Sequence, residues 1–205
     1  AMSSRPEHAL LDLGARRTQL AYRDSQGELH EVTVAAGGYQ FTRFLSLSAA
    51  VSPSRAERVK LAYSTRRLEE PTFSRTGKVM RRALESWSRR LMQAIDGAPG
   101  ILPGRWLTCG GASALPEMTL LPGLVAGDSI SRLDRYPVVS PLTPGHVCHY
   151  LAPGPERVGP SQVVSLALAD WWLSLSFERA ARAQASRLAE AARLVGYEVD
   201  AGWLR

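Results

Sequence analysis

The stretch Ala9–Thr42, ALLDLGARRTQLAYRDSQGELHEVTVAAGGYQFT, limits what this chain can fold into more than any other. An apolar run, Ala9 to Leu11, meets Asp12 and Gly14 at a tight turn. A polar hairpin follows, with Asp24-Ser25-Gln26-Gly27 at its tip. Asp and Ser bond their own backbone in such turns, and Gly takes positive φ freely. A further strand then closes at Gly37-Gly38, ahead of Thr42. The pattern predicts an antiparallel meander of strands Leu10–Gly14, Thr18–Arg23 and Glu31–Ala35. An acidic residue and a glycine at a strand end also let backbone approach a phosphate or a metal ion.

The 205 residues suit one domain or two small lobes, and 45% hydrophobic content excludes global disorder. The net charge is +6, and every basic residue except Lys60 and Lys78 is arginine. Charge balance bears on association rather than fold. Genome bias explains the arginines as readily as nucleic acid or acidic lipid does. Cys109 and Cys148 belong to no metal-ligand repeat, and His146, Cys148 and His149 fall short of a zinc pattern. Two thiols without a disulfide framework suit a reducing compartment. No run reaches the roughly 18 apolar residues of a membrane helix. The best, Val163–Leu175, is broken by Asp170. Residues 1–8 read as a leader, with Ala1 before Met2 an expression remnant and no signal peptide.

After the meander, Gln40–Ala50 reads as a helix with Phe41, Phe44, Leu45 and Leu47 or Ser48 inward. Ser52 is an N-cap and Pro53 a first-turn residue for the helix through Tyr63, with Ala56, Val59, Leu61 and Ala62 inward. Thr65–Gly77 reads as a polar loop. Lys78–Ile95 is amphipathic, with Val79, Ala83, Leu84, Trp87, Leu91, Ala94 and Ile95 on one face and several arginines elsewhere. A strand at Trp106–Thr108 leads to Cys109-Gly110-Gly111 and a short helix to Leu121. Leu124–Ile130 reads equally as strand or loop. Arg132–Pro160 is rich in Pro and Gly, with short strands at Pro137–Ser140 and His146–Tyr150. Val163–Trp172 is apolar nearly all round, which predicts a deeply buried helix. Phe177–Val195 predicts a helical tail stopped by Gly196, with a last strand at Tyr197–Val199.

The order of these motifs resembles the second lobe of the actin-like ATPase superfamily. It is most similar to the type IV pilus assembly family (PilM), with the cell-division protein FtsA and the secretion protein GspL as relatives. The resemblance rests on Asp12-Leu13-Gly14, on Gly37-Gly38 with Thr42, on Ala56-Glu57-Arg58-Val59-Lys60 and on Thr108-Cys109-Gly110-Gly111. It covers about Ala9–Trp172. It implies an α/β, ribonuclease H-like lobe over residues 9–176: a mixed sheet, its N-terminal meander flanked by helices, followed by a helical tail, 177–205. It also implies that Asp12 holds Mg²⁺, that Gly14 and Ala15 with Gly37 and Gly38 cradle the phosphates of ATP, and that Gly110 and Gly111 face the adenosine. Ala15 departs from the family, which carries a hydroxyl residue there, and no second Asp-x-Gly precedes Asp12-Leu13-Gly14.

Three functions follow as expectations. The first is an assembly scaffold of a pilus or secretion machine, cytoplasmic and held at the inner membrane by partner proteins, with weak or lost ATP binding, a possible second actin-like lobe and possible homo-oligomers. The second is the ATP-binding half of a larger ATPase. The third is an Arg-rich nucleic-acid binder, disfavoured because it has charge but no recognition module. Catalysis is not expected: Glu57 and Glu117 are the nearest candidates for a base, and no sequence feature orients them. Cys109 with His146 or His149 lacks the context of a nucleophile.

Overall fold

The computed structural model describes residues 8–147 and 162–194. Strands β1 (Ala9–Leu13), β2 (Thr18–Arg23), β3 (Leu29–Val34), β4 (Arg105–Cys109) and β5 (Val138–Pro141) form one sheet in the order β3-β2-β1-β4-β5. The first three strands pair antiparallel, and β4 and β5 add in parallel. The β2–β3 turn is closed by Asp24, whose Oδ1 accepts from the backbone N–H groups of Gln26 at 2.8 Å and Glu28 at 3.0 Å.

Alternation of side chains decides which face is inside. Ala9, Leu11 and Leu13 on β1, Thr18, Leu20 and Tyr22 on β2, and Val32 and Val34 on β3 are buried. Trp106 and Thr108 join that face, because Ala9 pairs with Trp106 and Leu11 with Thr108. Helices α1 (Gly38–Ala49), α2 (Pro53–Ser64) and α3 (Thr72–Asp96) pack most of the remaining core on it, joined by Leu102, Leu115, Met118 and Leu133. Phe41 and Leu45 of α1 are buried, as are Ala83, Leu84, Trp87, Leu91 and Ile95 of α3. The opposite face carries Leu10, Asp12, Leu107 and Cys109. Near Cys109 it is covered by Leu142 and by Val163, which opens helix α6 (Val163–Leu194).

One polar chain crosses this core. The Trp87 indole N–H donates to Thr18 Oγ1 at 3.0 Å, and that hydroxyl donates to the carbonyl of Ala36 at 2.7 Å. It joins α3, the start of β2 and the β3–α1 junction.

The meander and the amphipathic α3 match the sequence reading, and Ser52 caps α2 by accepting from the Arg55 N–H. Other expectations need correction. Helix α3 starts at Thr72, inside the expected loop. Its first turns pack on α2, with Phe73 against the Tyr63 ring at 4.7 Å between centroids and Gly77 where a Cβ would lie 2.9 Å from the Tyr63 hydroxyl. Leu124–Ile130 lies largely in helix α4 (Leu121–Ser129), with Leu121 and Val125 buried one turn apart. Its Pro122 occupies the first turn, where a helix needs no N–H from it. Leu47 and Leu61 are exposed, and Lys60 is buried where apolar neighbours were expected. At Pro144–Val147 a helical turn, α5, stands where a strand from His146 was expected. Cys148, His149, Gly196 and the strand at Tyr197–Val199 lie outside the described residues.

The largest departure is α6. It is one helix from Val163 to Leu194, and deep burial fails: Trp171 and Trp172 are 61% and 64% exposed. Apolar residues on several faces predict burial on several faces, but among the described side chains of α6 only Val163 and Asp170 are buried.

Thr18→Val removes the hydroxyl and leaves two buried groups without a partner. Each such loss costs about 1–3 kcal/mol. Urea unfolding should show a loss of about 2–6 kcal/mol for the two groups, and Trp87→Phe should also destabilise, through the lost donor and the cavity it leaves, while Thr18 keeps its bond to Ala36.

Candidate functional site

The loop 14–17 leaves the end of β1 and meets the start of α1. The Gly38 N–H donates to the Gly14 carbonyl at 2.9 Å, and the Tyr39 N–H donates to that of Ala15 at 2.7 Å. Gly37 is needed for space: a Cβ there would lie 2.4 Å from the Gly14 oxygen and 2.9 Å from that of Ala15. Gly110 is needed for both space and conformation. Its φ is +85°, and a Cβ would fall 2.4 Å from the Leu13 carbonyl oxygen. Gly111 differs, because a Cβ on it would meet nothing within 4 Å.

A cleft of about 470 Å³ opens over these loops. Gly14, Ala15, Gly38 and Gly111 of the sequence-derived set line it, with Thr42, Glu57, Lys60 and Ala112. Gly37 packs behind the loop, and Gly110 passes against Leu13 and Asp12. Asp12 does not line the cleft. It is half-buried on the other face of β1, opposite Cys109 in the register.

Sequence reasoning placed Glu57 and Lys60 in a family motif without making them site residues. The structure puts both in the cleft wall. The signal was their i,i+3 spacing, which sets them on one helix face. Lys60 is buried, and its Nζ reaches Glu57 Oε2 at 2.9 Å, Thr42 Oγ1 at 3.0 Å and the Gly38 carbonyl at 3.2 Å. These contacts use all three donors of the ammonium. Thr42 donates in turn to the Glu57 carboxylate. Glu57 is orientated after all, as a partner to Thr42 and Lys60 at a partly exposed rim. Glu117 is buried elsewhere, accepting from the Tyr63 hydroxyl.

These residues fit a nucleotide in part. Gly14, Gly38 and Gly111 leave room for phosphate and adenosine, and Glu57 and Lys60 offer a polar wall. Asp12, the expected Mg²⁺ ligand, lies outside the cleft wall, behind Gly110 and hydrogen-bonded to Cys109. Ala15 supplies no hydroxyl, and the first two donors of α1 already serve the loop carbonyls.

Neither a family model nor a curated protein matches the chain. Solved structures do. A chain of a PilM–PilN type IV pilus biogenesis complex superposes with a TM-score of 0.54 at 22% identity, over 82% of this chain and 46% of that one. The ethanolamine utilization protein EutJ from Carboxydothermus hydrogenoformans gives 0.50 at 18% identity, over 80% and 49%. The fold is actin-like. This actin-like chain spans less than half the length of each of those solved chains. In it, the five-stranded sheet sets the loops after β1 and β4 side by side at one end of two parallel neighbours.

Cys109 reports on the packing beneath these loops. Burial pushes its thiol up from 9.0 to about 12, helped by the negative charge of Asp12 and by the hydrogen bond to that carboxylate. Unfolding restores the ordinary value. The folded state therefore binds more protons between pH 9 and pH 12, and stability falls as pH rises through that window. In a Cys148→Ser background, Cys109 should react with a thiol reagent at pH 8 only after denaturant is added. Cys109→Ala should flatten the alkaline decline.

Proposed function

We propose that this chain is an actin-like assembly scaffold, acting through protein–protein contacts in an inner-membrane machine of the type IV pilus or type II secretion kind, and binding nucleotide weakly at most. The observation that carries it is the closed phosphate loop. Gly38 and Tyr39, the donors a helix N-terminus would offer to an anion, are held by the carbonyls of Gly14 and Ala15. Ala15 adds no hydroxyl, and Lys60 has no donor left over. The likeness to a chain solved in a complex with its assembly partner supports the scaffolding role. Among the described residues no helix is long and apolar enough to cross a membrane. On the scaffold reading, a partner protein holds the chain at the inner membrane.

A second reading is the ATP-binding half of a two-lobed ATPase. The open wall at Gly111 favours it, since packing within the chain does not require glycine there. ATP would lie with its phosphates over Gly14 and Gly38 and its ribose toward Glu57 and Lys60.

Titration calorimetry with Mg-ATP separates the two. The scaffold reading expects a Kd of about 1 mM or weaker, some −4 kcal/mol, and no hydrolysis above buffer. A low-micromolar Kd, abolished by Gly111→Leu without loss of fold, establishes the second reading instead.

A further inference from the structure

Behind the phosphate loop lies a second hollow of about 460 Å³, between the loop, α1 and α3. Arg16 reaches it from the loop, Arg43 from α1 and Arg90 from α3. No carboxylate lines it. Among the described residues none of these three arginines is in a salt bridge. The surface between the arginines is mostly apolar, with Phe44 half-buried and Tyr39 and Leu47 53% and 72% exposed, beside a Gln40–Ser86 hydrogen bond at 3.2 Å. An arginine excess spread by genome bias does not account for three segments, distant in sequence, meeting around one apolar hollow without a counter-charge.

We propose that this groove docks an acidic segment of a partner protein, one that places Asp or Glu beside the arginines and seats a Leu or Phe side chain on Phe44 and Leu47. Arginine recognises carboxylates through its forked donors, and its weak hydration makes it suited to an interface. Tyr39 and Phe44 also offer aromatic faces to a base, but the exposed aliphatic Leu47 in the same hollow favours a Leu or Phe side chain, and the test keeps an oligonucleotide as an overturning outcome. Concavity distinguishes it from a lipid surface. The proposal rests on the scaffolding reading and names the chemistry of one partner contact. It leaves the nucleotide cleft aside, so the Mg-ATP titration and the test below fail independently.

The test uses a fluorescent twelve-residue peptide in which Glu and Asp alternate with Leu and Phe, titrated with the full chain. Saturable binding is expected, weakening as salt is raised. Arg43→Glu combined with Arg90→Glu should weaken it at least tenfold, and Leu47→Ser should weaken it several-fold. Arg58→Glu combined with Arg82→Glu changes net charge equally outside the groove and should stay within twofold of the unmodified chain. Circular dichroism confirms that each variant is folded; all five positions are exposed. Should the double reversal unfold, Leu47→Ser and the salt series decide. Absence of binding, equal loss in the two double variants, or equal affinity for an all-glutamate peptide overturns the proposal. So does a single-stranded oligonucleotide that binds more tightly through the same arginines.

Discussion

Thr18 Oγ1 is where the pieces around the cleft are held together. Thr18 begins β2, in register with Leu13 at the end of β1 and with Val34 at the end of β3. Its hydroxyl spends its proton on Ala36, one residue before Gly37, and accepts the proton of Trp87. A buried hydroxyl with both roles filled is specific in a way that apolar contact is not, because moving any one partner leaves a desolvated polar atom behind. The loop 14–17 inherits its position from this point. It starts next to Thr18 in the sheet and closes on Gly38 and Tyr39, two and three residues after the one that Thr18 holds.

The cleft and the arginine groove are the two sides of that loop. Gly14 and Ala15 face one, Arg16 faces the other, and Tyr39 borders both. A short loop fixed by backbone hydrogen bonds at both carbonyls can present different chemistry in opposite directions without changing its path. Packing requires glycine at Gly37, whereas Ala15 and Arg16 point their side chains to the two sides of the loop.

Much of this was legible in the residues. Strand alternation in Leu11, Leu13, Leu20 and Tyr22 found the inner face, and the spacing of Ala83, Leu84, Trp87 and Leu91 found the helix laid against it. The glycines at the ends of β1, β3 and β4 pointed to the loops that the structure assembles. The misses have physical causes. Lys60 is buried because three acceptors surround it, and partners of that kind come from α1 and from the turn before it in sequence, which periodicity cannot see. Helix α4 carries a proline and two glycines and is held by Leu121 and Val125, so tertiary burial overrides local propensity. On α6 the hydrophobic pattern is present, but it does not by itself say whether the covering surface belongs to the same fold.

Gly37 has a consequence for tracing relatives of this chain. Its backbone is extended, a conformation open to any residue, so no turn statistic would single it out. The requirement comes from two carbonyl oxygens that occupy the place of its missing side chain. A homologue with any other residue at this position must route the loop after its first strand differently, and would therefore lack both the cleft floor and the placement of Arg16. One column of an alignment, with no conserved charge or motif in it, would sort chains that share this loop architecture from those that share only the sheet.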